Sequence, residues 1–360
     1  MAVTLPKINI TFQQLATSFV QRSERGVAIL IVRDATAGGD GYAVYTDMTQ
    51  LDGAPYTAAN MQGIKDTLTF GPLRTGVAKV GASGTLADAL ELVTQNEKTG
   101  WITVVGGTSE DWTALSSWIK AREAEAKSWK AVVYNAAAPD CMHVVNLVNE
   151  TVTFADSRKD KSGDNYTPSL VGILAACNVK RGATNYLCSN LTHAVVPASP
   201  DTVVGAGKFI VVNDDDQVRV GVDVNSLSTT NGKTLTEDMK YIETVEAMDM
   251  IRDDVAYAFK HDYLGNYRNS LDNQMLLISA IRYYFDTLEA QDILDPEYAN
   301  TVDIDVEAQR NAWIGSGKSE AAGWDDAKVR SMPFKRTVYL KGDIKILGSM
   351  VNLEFGVTLA

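Results

Sequence analysis

Gly315-Ser-Gly-Lys-Ser319 is the nearest approach to a chemical motif in this 360-residue chain. A phosphate-cradling loop reads G-x-x-x-x-G-K-[ST]; its glycines let backbone N–H groups close round the anion and its Lys reaches the outer phosphates. Here the first glycine of that pattern would fall at position 312, which is Ala312, and residues 307–314 read as helix where the motif needs a strand. The segment is expected to be a surface loop. Gly205-Ala-Gly-Lys208 lacks the following Ser or Thr and is weaker still. Asp214 to Asp216 lack the glycine and the bidentate Glu of a calcium loop, which leaves a solvated turn. Asp303 and Asp305 flank Ile304 on the outward side of an expected strand, a polar face and not an acid/base pair.

Nucleophilic and metal chemistry find equally little. Three histidines, His143, His193 and His261, lie far apart, and Cys141 with His143 alone cannot supply four zinc ligands. G-x-S-x-G is absent, so no nucleophile elbow is indicated. Cys141, Cys177 and Cys188 are spaced 36 and 11 apart, which matches neither a zinc pattern nor an even disulfide framework. They read as small buried hydrophobes in a reducing compartment. No metal, cofactor or catalytic residue is expected.

The elements that would have to position such groups are better defined. Gly26 to Val32 is a continuous β-branched run that suits a strand covered on both faces. Thr85 to Gln95 reads as a helix with Leu86, Leu90 and Val93 on one side, and Trp101 to Val105 as a second strand. Ser109 is placed to cap a helix in which Trp112, Leu115, Ile119 and Arg122 recur at helical spacing. Ala131 to Tyr134 is a third strand, Pro168 opens a helix over Ser169 to Cys177, and Tyr186 to Ser189 is a candidate fourth strand. This alternation predicts an α/β layer with a largely parallel sheet.

After Pro197 and Pro200 the character changes. Lys208 to Asn213 and Gln217 to Val224 flank the acidic turn as a hairpin, Thr236 to Tyr263 is a long helix ended by Gly265, and a second helix runs from Leu271 past Leu288. With strands expected at Thr301 to Val306 and Thr337 to Leu347, the C-terminal half is α+β.

Composition narrows the function classes. Acids outnumber bases 45 to 33, a net charge of −12, while 45% apolar and 22% charged residues are ordinary for a globular chain. A net acidic chain repels a phosphate backbone, so no nucleic-acid role is expected. The longest apolar runs fall far short of the ~18 residues a membrane helix needs, and the first residues do not form a secretory signal, so no membrane insertion is expected. Charge is unevenly spread: residues 236–262 carry eight acids against three bases, whereas residues 327–345 carry six bases against one acid. Such opposite patches are either solvated faces or a register device between identical subunits.

Both ends of the chain alternate. Ile8, Ile10 and Phe12 are separated by Asn9 and Thr11, and Val351, Leu353, Phe355 and Val357 by Asn352, Glu354 and Gly356. Period two means strand. A terminal strand must pair or present an open edge, and two outcomes are open: pairing inside its own domain, or addition to a neighbouring subunit.

Several segments, in order, carry a resemblance. Val220-Gly-Val-Asp-Val-Asn-Ser-Leu227, Val245-Glu-Ala-Met-Asp-Met-Ile-Arg-Asp-Asp254, Tyr263-Leu-Gly-Asn-Tyr267, Asp303-Ile-Asp-Val-Glu-Ala-Gln-Arg310 and Asn352-Leu-Glu-Phe355, with Leu5-Pro-Lys-Ile-Asn-Ile-Thr-Phe12 and Gln21-Arg-Ser-Glu-Arg-Gly26, resemble the tail sheath proteins of contractile phages and phage-tail-like bacteriocins. The resemblance implies a non-enzymatic subunit that stacks in rings round a tail tube and contracts to drive the tube through a target envelope. It implies arms at 1–20 and 346–360, an α/β domain at 21–195 and a C-terminal α+β sheath domain at 196–345. The arm positions named above would contact neighbouring subunits. Implied partners are further copies of the chain, a tail tube protein, and baseplate and terminator proteins. Implied location is the virion or tail-like particle, after assembly in the bacterial cytoplasm. Two other readings stay open at this point: a two-domain nucleotide or sugar-phosphate binding enzyme, and a self-assembling surface-layer-type protein.

Overall fold

Val27–Arg33 forms strand β1, and its first six residues are all buried. The structure, a computed structural model, describes residues 26–177, 179 and 181–357. β1 lies third in a six-stranded sheet of order β2-β3-β1-β4-β5-β6, made with β2 (Gly41–Tyr45), β3 (Arg74–Val80), β4 (Gly100–Val104), β5 (Trp129–Tyr134) and β6 (Val144–Leu147). Every pairing is parallel except that of β2 with β3, an antiparallel edge. The unbroken apolar run of β1 is explained by cover on both faces. Val27, Ile29 and Ile31 pack with Leu90 of α2 (Leu86–Asn96) and Leu115 of α3 (Ser109–Ala124). Leu30 and Val32 meet Ile64 of α1 (Ala58–Leu68), and Ala28 lies in a cluster with Leu170 and Leu174 of α4 (Thr167–Ala176).

Two glycines let these layers close. A Cβ on Gly26 would lie only 1.4 Å from the carbonyl oxygen of Ala175, and one on Gly172 only 2.3 Å from that of Thr67. The first allows β1 to start against the end of α4, the second lets α4 lie directly on α1.

Caps explain the helix starts. Thr85 and Asp88 form a capping box for α2. For α3 the cap is Thr108 and not Ser109: its hydroxyl accepts from the Asp111 N–H, and the Asp111 carboxylate accepts from the Thr108 N–H. Asp111 is also gripped by both terminal guanidinium nitrogens of Arg33, at 2.7 and 2.9 Å, which ties the α3 start to the end of β1.

The expected strand at Tyr186 to Ser189 is not one. Asn185 adopts a left-handed conformation (φ 59°), turn bonds join Tyr186 to Ala183 and Leu191 to Cys188, and only an isolated bridge of Leu187 to Arg219 remains. The strand lies just beyond, β9 (Leu191–Ala194), which pairs antiparallel with β7 (Thr151–Phe154), itself paired with β8 (Asp160–Ser162). A short helix, α5 (Pro200–Gly205), precedes the expected hairpin, β10 (Val211–Asp214) with β11 (Gln217–Val220), which turns at a left-handed Asp215.

Thr236 to Tyr263 is less uniform than its periodicity predicts. A 3-10 turn at Glu237–Lys240 is broken by extended Tyr241, helix α6 spans Ile242–Ala258, and a π turn over Phe259–Tyr263 leads to left-handed Gly265. Further on come α7 (Leu271–Glu289), β12 (Thr301–Ile304), α8 (Val306–Gly315), α9 (Asp326–Ser331) and β13 (Leu340–Asp343), with β12 and β13 antiparallel. Both strands are shorter than expected, because Asp305 caps α8 and residues beyond Asp343 keep only a bridge of Ile346 to Leu294.

The described chain divides into two compact units. Of the described residues, one unit contains those from Gly26 to Asp249 together with the tail from Gly348, and the other is Met250–Leu347. Residues 196–249, expected with the C-terminal half, pack with the first unit: the Phe209 N–H donates to the Asn146 carbonyl beside β6, and the Ser226 N–H to that of Val144. No helix of the described residues is long and apolar enough to cross a membrane.

Candidate assembly interface

The C-terminal tail leaves its alternating side chains in solvent. No strand pairing involves residues 350–357 among the described residues. Val351 is 50% exposed, Leu353 89%, Phe355 80% and Val357 66%. Leu353, Phe355 and Val357 thus stand largely open to solvent at every second residue, while Val351 is half covered. Ile8, Ile10 and Phe12 of the other predicted arm lie outside the described residues.

The tail is fixed at its root. The Ser349 backbone N–H donates to Oε1 of Glu243 at 2.8 Å and its hydroxyl to Oε2 at 2.5 Å. Glu243 stands in the first turn of α6, where a carboxylate suits the positive end of the helix dipole. Behind it lies buried Asp223. A Cβ on Gly182 would sit 2.6 Å from Glu243 Oε2 and 2.9 Å from Asp223 Oδ2, so the two carboxylates face one small space. Burial, then the charge of Glu243, push the Asp223 carboxyl up to about 6, against the opposing bond from the Thr184 hydroxyl at 2.8 Å.

Two further carboxylates of α6 hold the sheet. Glu246 accepts from the Trp101 indole at 3.0 Å and from Lys130 at 2.7 Å. Asp249 accepts from Nε2 of His143 at 3.0 and 3.1 Å and lies 3.6 Å from Lys130. The other ring nitrogen of His143, Nδ1, is 2.7 Å from Glu123 of α3, and the Cys141 thiol donates to the same Glu123 oxygen at 3.1 Å. Burial would lower the His143 pKa, yet the two carboxylates outweigh it and push the ring up to about 9. Glu123 and Asp249 escaped sequence reasoning because they come from helices 20 and 106 residues from His143.

The tempting loop and the charge patches have structural roles. Lys318 lies 5.1 Å from both the Trp313 and Trp324 rings, so its ammonium covers aromatic faces. Asp303 is bridged by both terminal nitrogens of Arg330 at 2.6 Å, and Asp305 caps α8. Lys345 pairs with Asp295 at 2.8 Å. The basic stretch is thus partly neutralised by its own unit.

Residues 234–359 match the family described as the phage tail sheath C-terminal domain. Over 369 aligned residues, covering 99% of each chain, the sequence is 27% identical to the tail sheath protein of Clostridium phage phiCD119. Among solved structures, the fold is similar to the sheath tail protein of Desulfitobacterium hafniense, at 14% identity over 85% of this chain and 94% of that one, with a TM-score of 0.67. It is also similar to the helical sheath of the anti-feeding prophage in its contracted state, at 13% identity over 92% and 93% of the two chains, with a TM-score of 0.70. Residues 234–359 thus match the phage tail sheath C-terminal domain, the whole chain is similar in sequence to a tail sheath protein, and its fold is that of sheath proteins.

Proposed function

We propose that this structural sheath subunit polymerises through its C-terminal tail, which adds as a strand to the sheet of an adjacent copy. The observation that carries this is the tail itself: rooted at Ser349 and then apolar at every second residue, with Leu353, Phe355 and Val357 largely exposed. At ~3.3 Å per residue, the eight residues from 350 to 357 reach roughly 25 Å, enough to cross a subunit boundary. The two-stranded β12–β13 sheet is a fitting acceptor, since an edge supplies main-chain partners and alternate side-chain pockets supply register. An N-terminal arm through Ile8, Ile10 and Phe12 is proposed to do the same at the other end.

Linked copies would form rings round a tail tube, with baseplate and terminator proteins at the ends, in a virion or tail-like particle put together in the bacterial cytoplasm. The extended lattice must be metastable and the contracted one must bury more surface, so a small free-energy gain per subunit, multiplied over many linked copies, drives the tube outward. Strand links suit this task because main-chain bonds survive rigid-body rotation of the domains they join.

Deleting residues 350–360 tests the tail. The truncated chain is expected to keep its far-ultraviolet circular dichroism and melting transition but to form no hollow striated tubes by electron microscopy. Tubes made by the truncated chain would overturn the tail as a connector.

A further inference from the structure

The cluster behind the sheet has a second capability. We propose that Glu123, Cys141 and His143 form a three-ligand site for a divalent cation of the zinc class. A carboxylate oxygen of Glu123, Sγ of Cys141 and a ring nitrogen of His143 all lie within 4.8 Å of one another. The hydrogen bonds show how they converge: the Cys141 thiol and His143 Nδ1 both point at Oε2 of Glu123, at 3.1 and 2.7 Å. Three different donor elements, oxygen, sulfur and nitrogen, therefore surround one point, a set that suits zinc and disfavours magnesium or calcium.

The surroundings are those a metal site requires. The Asp249 carboxylate accepts from Nε2 of His143 and so fixes the ring with Nδ1 turned inward, the carboxylate–histidine arrangement that orients metal ligands. The backbone is held as well: the Cys141 N–H donates to the Ser226 hydroxyl oxygen, which in turn donates to the Cys141 carbonyl at 2.9 Å, and the His143 carbonyl accepts from Ala131. Cys141 and His143 are buried, while the Glu123 side chain is 27% exposed and offers the path of entry and the side on which a water completes the coordination.

Charge favours the exchange. A dication that takes the place of the thiol proton and the Nδ1 proton, both released to water, leaves the net charge of the cluster unchanged. No uncompensated charge is added to the interior. The bound ion would cross-link α3 to the loop that opens β6, with Asp249 of α6 behind it. This inference is independent of how the tail assembles.

Cobalt(II) titration of the purified full-length chain under reducing conditions is the test. Wild type is expected to develop a near-ultraviolet thiolate-to-cobalt charge-transfer band that saturates at one ion per chain and is abolished by one equivalent of zinc. Cys141→Ser, close to isosteric, should lose the band while Cys177 and Cys188 remain. Glu123→Gln should weaken cobalt binding at least about tenfold. Should the serine variant fail to fold, X-ray absorption at the zinc edge of the wild-type protein decides, with one sulfur expected in the coordination shell. No band in wild type, a band that survives Cys141→Ser, or a zinc shell without sulfur would overturn the site and leave the cluster as a proton-bonded network.

Discussion

Ser349 gives both its backbone N–H and its hydroxyl to the single carboxylate of Glu243, 106 residues earlier. The point at which the tail departs is set by that pair of hydrogen bonds, and residues 350–357 beyond it pair with no strand. Glu243→Ala should therefore leave the unit folded, with a loss of about 1 kcal/mol in urea unfolding. Its tail would start from a less defined position, so tubes should form more slowly and at a higher protein concentration, measured by light scattering. An assembly threshold identical to wild type would dissociate the root from assembly.

The tail itself separates two kinds of position. Phe355→Asp should block tube formation with little change in the melting of the unassembled chain, because the new charge would enter a neighbour's apolar surface unpaired, at a cost of several kcal/mol. Asn352→Asp lies on the alternate face and should still assemble. A sharp drop in the melting temperature of unassembled Phe355→Asp would mean that the tail closes its own chain.

Asp223 predicts a pH dependence of definite sign. Its folded pKa of about 6 lies above the ordinary carboxylate value near 3.9, so the folded state holds the proton more tightly. Its contribution to stability is full below about pH 4 and is lost as pH rises through about 6. Asp223→Asn should remove that loss: relative to the variant, wild type should weaken by on the order of 2 kcal/mol between pH 4.5 and pH 7.5. Urea midpoints at the two pH values measure it, and parallel profiles would reject the assignment.

Gly172 and Gly315 form a matched pair for the helix contact. A methyl group on Gly172 meets the Thr67 carbonyl, so Gly172→Ala should cost about 1–3 kcal/mol as α1 and α4 are pushed apart. Gly315 has open space around its missing Cβ, and Gly315→Ala should be neutral or slightly stabilising. Equal effects in denaturant unfolding would refute the close approach.

How far the fold was legible depended on what each residue buries. β1 was clear because its own run from Val27 to Val32 is apolar without a break and buried throughout. α1 was silent, since its buried face includes Asn60, Asp66 and Thr67, whose partners Asp34, Arg158 and the Pro168 carbonyl are distant in sequence. Tyr186 to Ser189 misled because an apolar tetrapeptide looks alike in a strand and in a pair of turns. The root of the tail and the His143 cluster were out of reach for a different cause: each joins elements from separate parts of the chain, and neither leaves a local spacing.

Glu243, Glu246 and Asp249 follow one another at three-residue intervals on α6 and hold, in turn, the tail, the Trp101 and Lys130 side chains, and His143. A pull on the tail is thus delivered first to Glu243 and then along the helix axis to fastenings that must slide together. Links loaded in shear share the force, whereas links that peel break one at a time. The helix acts as a toothed bar bolted to the sheet, and under the proposed strand link a tug from an adjacent copy would be borne by all three fastenings.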